Sequence, residues 1–430
     1  MKACIIGAGI AGLACGALLA KNGIEVDIYE KEGEVGGRAM SLKIGDDYFK
    51  ALERFNIDVI EIYGDYESRE VDLGFHLIGG GKKGGCMKLL KKIGIEVEFI
   101  GSKIGFIGEK INYPFLSKLD KIKMMPRIIQ LLTTRKSKLE EMKKNSMEEM
   151  IKKYGKGKMK EVLEIFPRLI TTVNDLSKIS AGEVFFAQRE LLGGEPVIYP
   201  KNGLGEISKK LKEYIEERNG KIFLGKKVNE IIIDDGIARG IKIKKEEKYY
   251  DVIISTVPLQ NIFLIAKEEN FPKEWADYIK NLKPTASLVS YHAVDDVGNL
   301  RNKSFVFIER NCDFEGNDVV GMIDFKKEGM VQSYAICSPE EAKNRKKMNE
   351  LMEIIEKNIK KIIPEKKVKW HIYSAVKYLD GVAKTIDCIK PGVATPIKNL
   401  YIAGDYVNSK GVGMNCAADS ANLISSILLA

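Results

Sequence analysis

Histidine is almost missing from this 430-residue chain. The three present, His76, His292 and His371, lie far apart in sequence, so a histidine-based metal centre has little to draw on and no metal site is expected. Seven cysteines (Cys4, Cys15, Cys86, Cys312, Cys337, Cys388 and Cys416) form no CxxC pair and no zinc spacing. Their odd number and the place of several inside apolar runs predict reduced, buried thiols and a cytoplasmic setting. No other segment than 3–20 approaches the roughly 20 apolar residues of a spanning helix. That one carries four glycines, lacks a small-residue cleavage site and runs into a strand, which predicts folded structure rather than a leader. Neither charge dominates, because 69 Lys+Arg against 60 Asp+Glu leave a net +9 spread along the chain. Nucleic acid is therefore not expected as a partner, while peripheral contact with an anionic membrane stays open. Internal repeats, low-complexity tracts, flexible linkers and a nucleophile elbow are missing too, so no catalytic triad is expected and no side chain stands out as a general base.

What is present begins at the N-terminal end. Residues 3–6 are short, apolar and strand-like; Gly7-Ala8-Gly9-Ile10-Ala11-Gly12 follows at GxGxxG spacing, and 13–22 has helical composition. Glycine suits a tight turn, close approach of backbone to a pyrophosphate, and close packing of helix on strand. The phosphates would sit on the helix N-terminus, with Gly7, Gly9, Ile10, Ala11 and Gly12 around them. A second strand, 25–29, ends in Glu30 with Lys31 beside it; the Glu30 carboxylate can accept from both hydroxyls of an adenosine ribose and repels a 2′-phosphate. Strand, turn, helix and acid together predict dinucleotide binding.

Glu34-Val35-Gly36-Gly37-Arg38-Ala39 follows at once, and Leu400-Tyr401-Ile402-Ala403-Gly404-Asp405 lies near the other end. With both, the chain resembles the flavin-dependent superfamily of phytoene desaturases, protoporphyrinogen oxidases and amine oxidases. The resemblance implies FAD: Gly36, Gly37 and Arg38 cross its pyrophosphate, Gly404 and Asp405 hold its ribityl and phosphate portion, and Val228 contacts adenine. It also implies that the segment around Asp72-Leu73-Gly74 passes the flavin ring, which makes Phe75, His76 and Leu77 candidates for the substrate side. For His76 a hydrogen-bonded structural role stands beside a catalytic one. Gly411-Val412-Gly413-Met414-Asn415 opens the last helix, whose N-terminus at Gly413 and Met414 would face the flavin pyrimidine oxygen, where negative charge develops on reduction.

The expected fold class is α/β. A Rossmann-like FAD-binding domain of parallel sheet plus β-meander (residues 1–90, 196–270 and 386–430) is interleaved with an α+β substrate domain (91–195 and 271–385). Residues 118–192 turn helical and form either a cap that buries its own apolar stripe or a basic amphipathic surface that rests on a membrane. A helix over 206–219 precedes a strand, a turn at 234–236 and another strand within 221–243; a further strand covers 249–257, and a helix covers 339–363.

Amine oxidases typically carry a lysine on a strand of the substrate domain, and placing 284–290 on that strand puts Ser290 at its position. The aromatic residue they carry before the final helix is Gly413 here, and Cys388 lies too close to Gly404 for their covalent flavin link. The Gly-Val-Gly-Met ending resembles the isoprenoid desaturases. The reading is thus an oxidoreductase with non-covalent FAD, a bulky apolar substrate and an unassigned electron acceptor. Beside it stand a protoporphyrinogen-oxidase or amine-oxidase type of enzyme and a non-enzymatic lipid-binding relative akin to the Rab GDP-dissociation inhibitors.

Overall fold

The computed structural model describes all residues except 75–76, 192–194 and 364–366, with nothing said of the side chains of 190 and 191. The strand β1, Lys2–Ile6, is buried at every residue but the first. It pairs in parallel with β2, Glu25–Tyr29, on one side and with Val252–Ser255 on the other. Lys221–Phe223 and Leu400–Ile402 complete a five-stranded parallel sheet in which β1 is central. Continuous apolar strands of this kind need cover on both faces. On one face that cover is α1, Ile10–Lys21, packed between the last helix, Met414–Leu428, and Gly205–Glu216. The sheet thereby gathers strands from the start, middle and end of the chain.

Glu230–Asp234, Ile237–Ile243 and Glu246–Tyr249 form the expected β-meander, with Asp235 and Gly236 both at positive φ in its first turn. The single strand expected from residue 221 onward is two. It breaks at Gly225 (φ +64°), so that Lys221–Phe223 joins the parallel sheet and Glu230–Asp234 joins the meander.

A second, eight-stranded sheet runs in the order Ile57–Tyr63, Val368–Val376, Ala286–Val294, Met330–Cys337, Asp318–Asp324, Ser304–Arg310, Ile104–Ile107, Ile111–Asn112. One face, with Val289, Tyr291 and Ala293, packs against Met40, Tyr48 and Leu73. The other, with Ala286 and Leu288, is covered by the helix Arg345–Lys360. That helix starts later than expected because the Asn344 side chain caps it, accepting from the Lys346 and Lys347 amides.

The helical stretch resolves into Lys118–Thr133, Lys136–Glu141, Met147–Tyr154, Lys158–Thr171 and Ala181–Leu191. The last three enclose a small core of their own around Met147, Leu163 and Val184. Lys118–Thr133 differs, since only Met124 is buried in it. Among the described residues no helix is long and apolar enough to cross a membrane. The whole is the α/β fold with a parallel sheet that the sequence implies.

Candidate functional site

The turn after β1 separates glycines that the fold requires from one that it does not. Gly7 adopts φ +106° against the Thr256 hydroxyl, and a Cβ on Gly12 would strike the Gly7 carbonyl oxygen. Gly9 has an ordinary φ of −73°, and a Cβ there would meet only the Gly36 oxygen at 4.0 Å. Space is therefore left over Gly9, at the N-terminus of α1, where no side chain caps the helix. Free amides and the positive end of a helix dipole make that space suited to an anion. Ile10 and Ala11 open the helix with their side chains turned into the core.

Glu30 ends β2 directly beneath this turn. Its Oε2 accepts from the Ala8 amide at 2.7 Å and its Oε1 from the Glu32 amide at 2.9 Å, so the carboxylate is fixed and buried while each oxygen keeps a lone pair. Lys31 points away to solvent, 3.4 Å from Glu32. Val228 is buried in the core cluster that includes the strands of the parallel sheet.

Gly36, Gly37 and Arg38 run alongside the turn, held by the Gly36 amide donating to the Ala8 carbonyl at 2.8 Å. Arg38 then reaches the far end of the chain, with Nη2 2.8 Å from Asp405 Oδ2. Its Nη1 donates to the Tyr378 and Leu379 carbonyls, and the guanidinium lies over the Tyr378 ring at 4.9 Å. Burial disfavours the Arg38 charge, Asp405 together with Tyr378 and Asp380 outweighs it, and the net shift is upward. Asp405 Oδ1 is buried and has no hydrogen-bond partner. Gly404 is anchored by its amide donating to Ser420 Oγ on the last helix, at 3.1 Å.

The last helix begins at Met414 with Gly413 in the N-cap position and no side-chain cap. Asn415 ties it to the glycine-rich segment after Leu77, accepting from the Cys86 amide at 3.0 Å and donating to the Gly79 carbonyl at 2.7 Å. Leu77 is half-buried against the cluster of Met40 and Leu73. Phe75 and His76 lie outside the described residues. Asp72 just before them is fully buried and serves structure, accepting from Ser41 Oγ, the Leu204 amide and the Tyr199 hydroxyl.

Residues 378–390 also belong to the site, and no motif marks them. Asp380 Oδ1 stands 3.8 Å from where a Gly413 Cβ would be. Lys390, buried, donates to the Asp405 carbonyl at 2.6 Å. Lys384 is only 2% exposed; its Nζ has no hydrogen-bond partner and lies 3.7 Å from Asp380 Oδ2. The signal available in the sequence was four charged residues, Asp380, Lys384, Asp387 and Lys390, in a stretch that runs into Pro391 before Gly404, which alone reads as an exposed loop. In the folded chain Arg38, Lys384 and Lys390 stand against Asp405, Asp380 and Glu183, so the side-chain charges balance, and the uncapped N-terminus of the last helix is what leaves positive potential at this corner.

Ser290 does not face this corner. It is buried on the sheet face under Arg345–Lys360, with Ser333 Oγ at 2.6 Å, and its neighbours Val289 and Tyr291 face the other way. None of the inward-facing positions Val289, Tyr291 and Ala293 is a lysine.

Residues 10–426 match the family described as flavin containing amine oxidoreductase. An uncharacterized protein of Methanocaldococcus jannaschii is 28% identical over 263 residues, 60% of this chain and 58% of that protein. A 4,4′-diapophytoene desaturase of Staphylococcus aureus is 54% identical over 43 residues, 10% of this chain and 9% of the desaturase. These matches thus span only part of each relative's length. The crystal structure of an oxidoreductase from Methanosarcina mazei superposes with a TM-score of 0.76 at 20% identity, covering 99% of this chain and 100% of that one, which is a likeness of fold.

Proposed function

The chain belongs to the family of flavin-containing amine oxidoreductases, and from that premise we propose that it binds FAD non-covalently and moves hydride between that cofactor and a bulky apolar substrate, as desaturases do. The observation that carries the cofactor assignment is the meeting of Arg38, Tyr378 and Asp405 beside the open turn at Gly9. The residues fit a flavin dinucleotide: a buried carboxylate oxygen on Asp405 lacks a donor, the space over Gly9 suits a pyrophosphate, and Glu30 retains lone pairs for a ribose. Gly7–Gly12 and Gly36–Arg38 would hold the phosphates, Glu30 the ribose, Val228 the adenine side, Gly404 and Asp405 the ribityl portion, and the Gly413–Met414 helix start the pyrimidine end. When bound, the flavin supplies hydride acceptance and donation. Arg38 would neutralise charge and brace Asp405, and the uncapped start of the last helix would favour negative charge at the pyrimidine end.

Non-covalent binding is supported by the thiols. Cys416 Sγ is directed at the carbonyls of Gly404, Asp405 and Val407, at 3.7, 3.3 and 3.4 Å. Burial pushes the Cys388 thiol up to about 11, away from the thiolate that nucleophilic attack needs. An apolar substrate is supported by Gly413 in place of an aromatic cage residue, by the inward positions Val289, Ala293 and Tyr291, the last with its hydroxyl already donated to the Asp72 carbonyl at 2.7 Å, and by the short desaturase match. Leu119, Ile122, Met125, Ile129 and Leu132 are exposed along one face of Lys118–Thr133, with Lys121, Lys123 and Arg127 also exposed. This helix is the surface on which the protein would rest on an anionic membrane and collect such a substrate.

The test is anaerobic mixing of the oxidised protein with a saturated-bond-bearing polyene isoprenoid in anionic vesicles, and separately with putrescine. Bleaching of the visible flavin band by the isoprenoid alone supports the proposal. Bleaching by the amine alone transfers it to the amine-oxidase type.

A further inference from the structure

His292 and His371 stand opposite each other on adjacent antiparallel strands, a pairing their sequence positions do not suggest. Their rings lie 5.3 Å apart on the sheet face covered by the helix Arg345–Lys360, and Glu356 of that helix descends onto both. Glu356 Oε1 is 3.2 Å from His292 Nε2 and 3.7 Å from His371 Nδ1, and the three ligand atoms lie within 4.8 Å of one another. A tetrahedral zinc ion with bonds of about 2.0–2.1 Å sets its ligand atoms roughly 3.3–3.4 Å apart, so small rotations close this group on a cation.

The outer partners point the same way. His371 Nε2 is 2.8 Å from Glu61 Oε1, and His292 Nδ1 is 3.3 Å from Ser290 Oγ. Each ring thus has one nitrogen held by an outer oxygen and its other nitrogen turned toward Glu356, as metal-bound imidazoles are oriented, although His292 Nε2 also lies 3.1 Å from the Tyr373 hydroxyl, which would have to give way to a cation. With the His371 proton on Nε2 toward Glu61, its Nδ1 presents a lone pair to a carboxylate oxygen. Two acceptors then face each other, and a cation between them removes the conflict. Tyr373, whose hydroxyl donates to Glu356 Oε1 at 2.7 Å, closes the inner wall. A solvent-open hollow lined by Met352, Glu353, Glu356, Lys357 and Lys360 reaches the group at Glu356.

We infer that His292, His371 and Glu356 form a binding site for a first-row divalent cation of the zinc type, pinning the helix Arg345–Lys360 to the eight-stranded sheet. Two imidazoles and a carboxylate suit zinc and its neighbours, whereas magnesium and calcium take oxygen-only sets. The fourth position goes to solvent reaching through the hollow. None of these residues is among the flavin-site residues described above, so the site is separate from them.

The test uses the full chain with its flavin, stripped by a chelator, resupplied with Zn²⁺ and passed through gel filtration before elemental analysis. The wild type is expected to retain one zinc per chain and to melt at a higher temperature with zinc than without. His371→Ala and Glu356→Gln are expected to lose both the retained metal and the melting shift while keeping their flavin. Glu356 is one-quarter exposed, so its amide variant carries the test if His371→Ala fails to fold. Glu61→Gln is expected to weaken retention about 10–100-fold without abolishing it. A wild type that retains no zinc, variants that retain as much as the wild type, or sulfur in the zinc absorption-edge spectrum would each overturn the assignment.

Discussion

Arg38 and Asp405 are 367 residues apart in the chain and meet at 2.8 Å, Nη2 to Oδ2, while the other Asp405 oxygen is buried without a partner. The contact joins the segment that follows β2 to the segment that precedes the last helix. Asp405→Ala is expected to release flavin while far-UV circular dichroism stays near that of the wild type. In a cycle of Arg38→Met and Asp405→Asn, each single change costs about 1–3 kcal/mol, less than a fully buried pair because Arg38 is partly solvent-screened. The double variant should lose less than the sum of the two. Strict additivity would mean that the pair is not coupled.

Gly9 and Gly12 have opposite requirements. Gly12→Ala forces a Cβ into the Gly7 carbonyl oxygen, and a melting temperature lowered by several degrees is expected even without cofactor. Gly9→Ala meets open space at φ −73°, so the flavin-free protein should melt within about 2 °C of the wild type while flavin affinity collapses. A Gly9→Ala protein that binds flavin normally would remove the pyrophosphate from this turn.

Glu30→Ala removes a charged acceptor worth about 1.5–3 kcal/mol, so the dissociation constant for FAD should rise roughly 10–100-fold. Glu30→Gln keeps an acceptor for the Ala8 amide and should lose less. Equal flavin titrations for all three proteins would exclude Glu30 from the site.

Ile122 and Ile129 are 65% and 53% exposed, so converting both to Asp should leave the melting temperature unchanged. Co-sedimentation with anionic vesicles is expected for the wild type and not for this double variant. Equal sedimentation of the two proteins would argue against docking through Lys118–Thr133.

Glu183 of the helical region lies 2.9 Å from Lys143. Burial alone would raise its pKa; Lys143, with Lys390 and Lys384 beyond, pulls it below the usual value. A depressed folded-state pKa adds stability above the unfolded value, and that stability is lost as pH falls through the folded one. Glu183→Gln should therefore cost about 1–3 kcal/mol near neutral pH and progressively less as pH drops below the ordinary carboxylate range. Denaturant unfolding at two pH values reads the difference.

The turn from Gly7 to Gly12 was legible in the sequence because its constraints are local. A strand, three glycines and an acid at fixed offsets determine one another within 30 residues. Gly36–Arg38 and Gly404–Asp405 were legible through resemblance, although nothing in either segment says that Arg38 would grip Asp405. Residues 378–390 were opaque because their contribution is made by backbone carbonyls and buried charges that only the folded chain brings beside Gly413. The face of Ser290 was not legible, because one step of strand alternation turns a side chain to the opposite face of a sheet. His292 and His371 looked unrelated for a similar reason, since strand register is invisible in linear spacing. The helical expectation for 118–192 held in outline, while Lys118–Thr133 stands apart from the small core that the later helices share.

The central claim is a flavin held by non-covalent contacts at the junction of Gly9, Arg38 and Asp405, and the visible absorption spectrum of protein purified without added cofactor tests it most directly. The account predicts flavin bands that pass wholly into the supernatant on acid precipitation, at one flavin per chain. A colourless protein that FAD does not reconstitute, or a colour that stays with the precipitate, would contradict it.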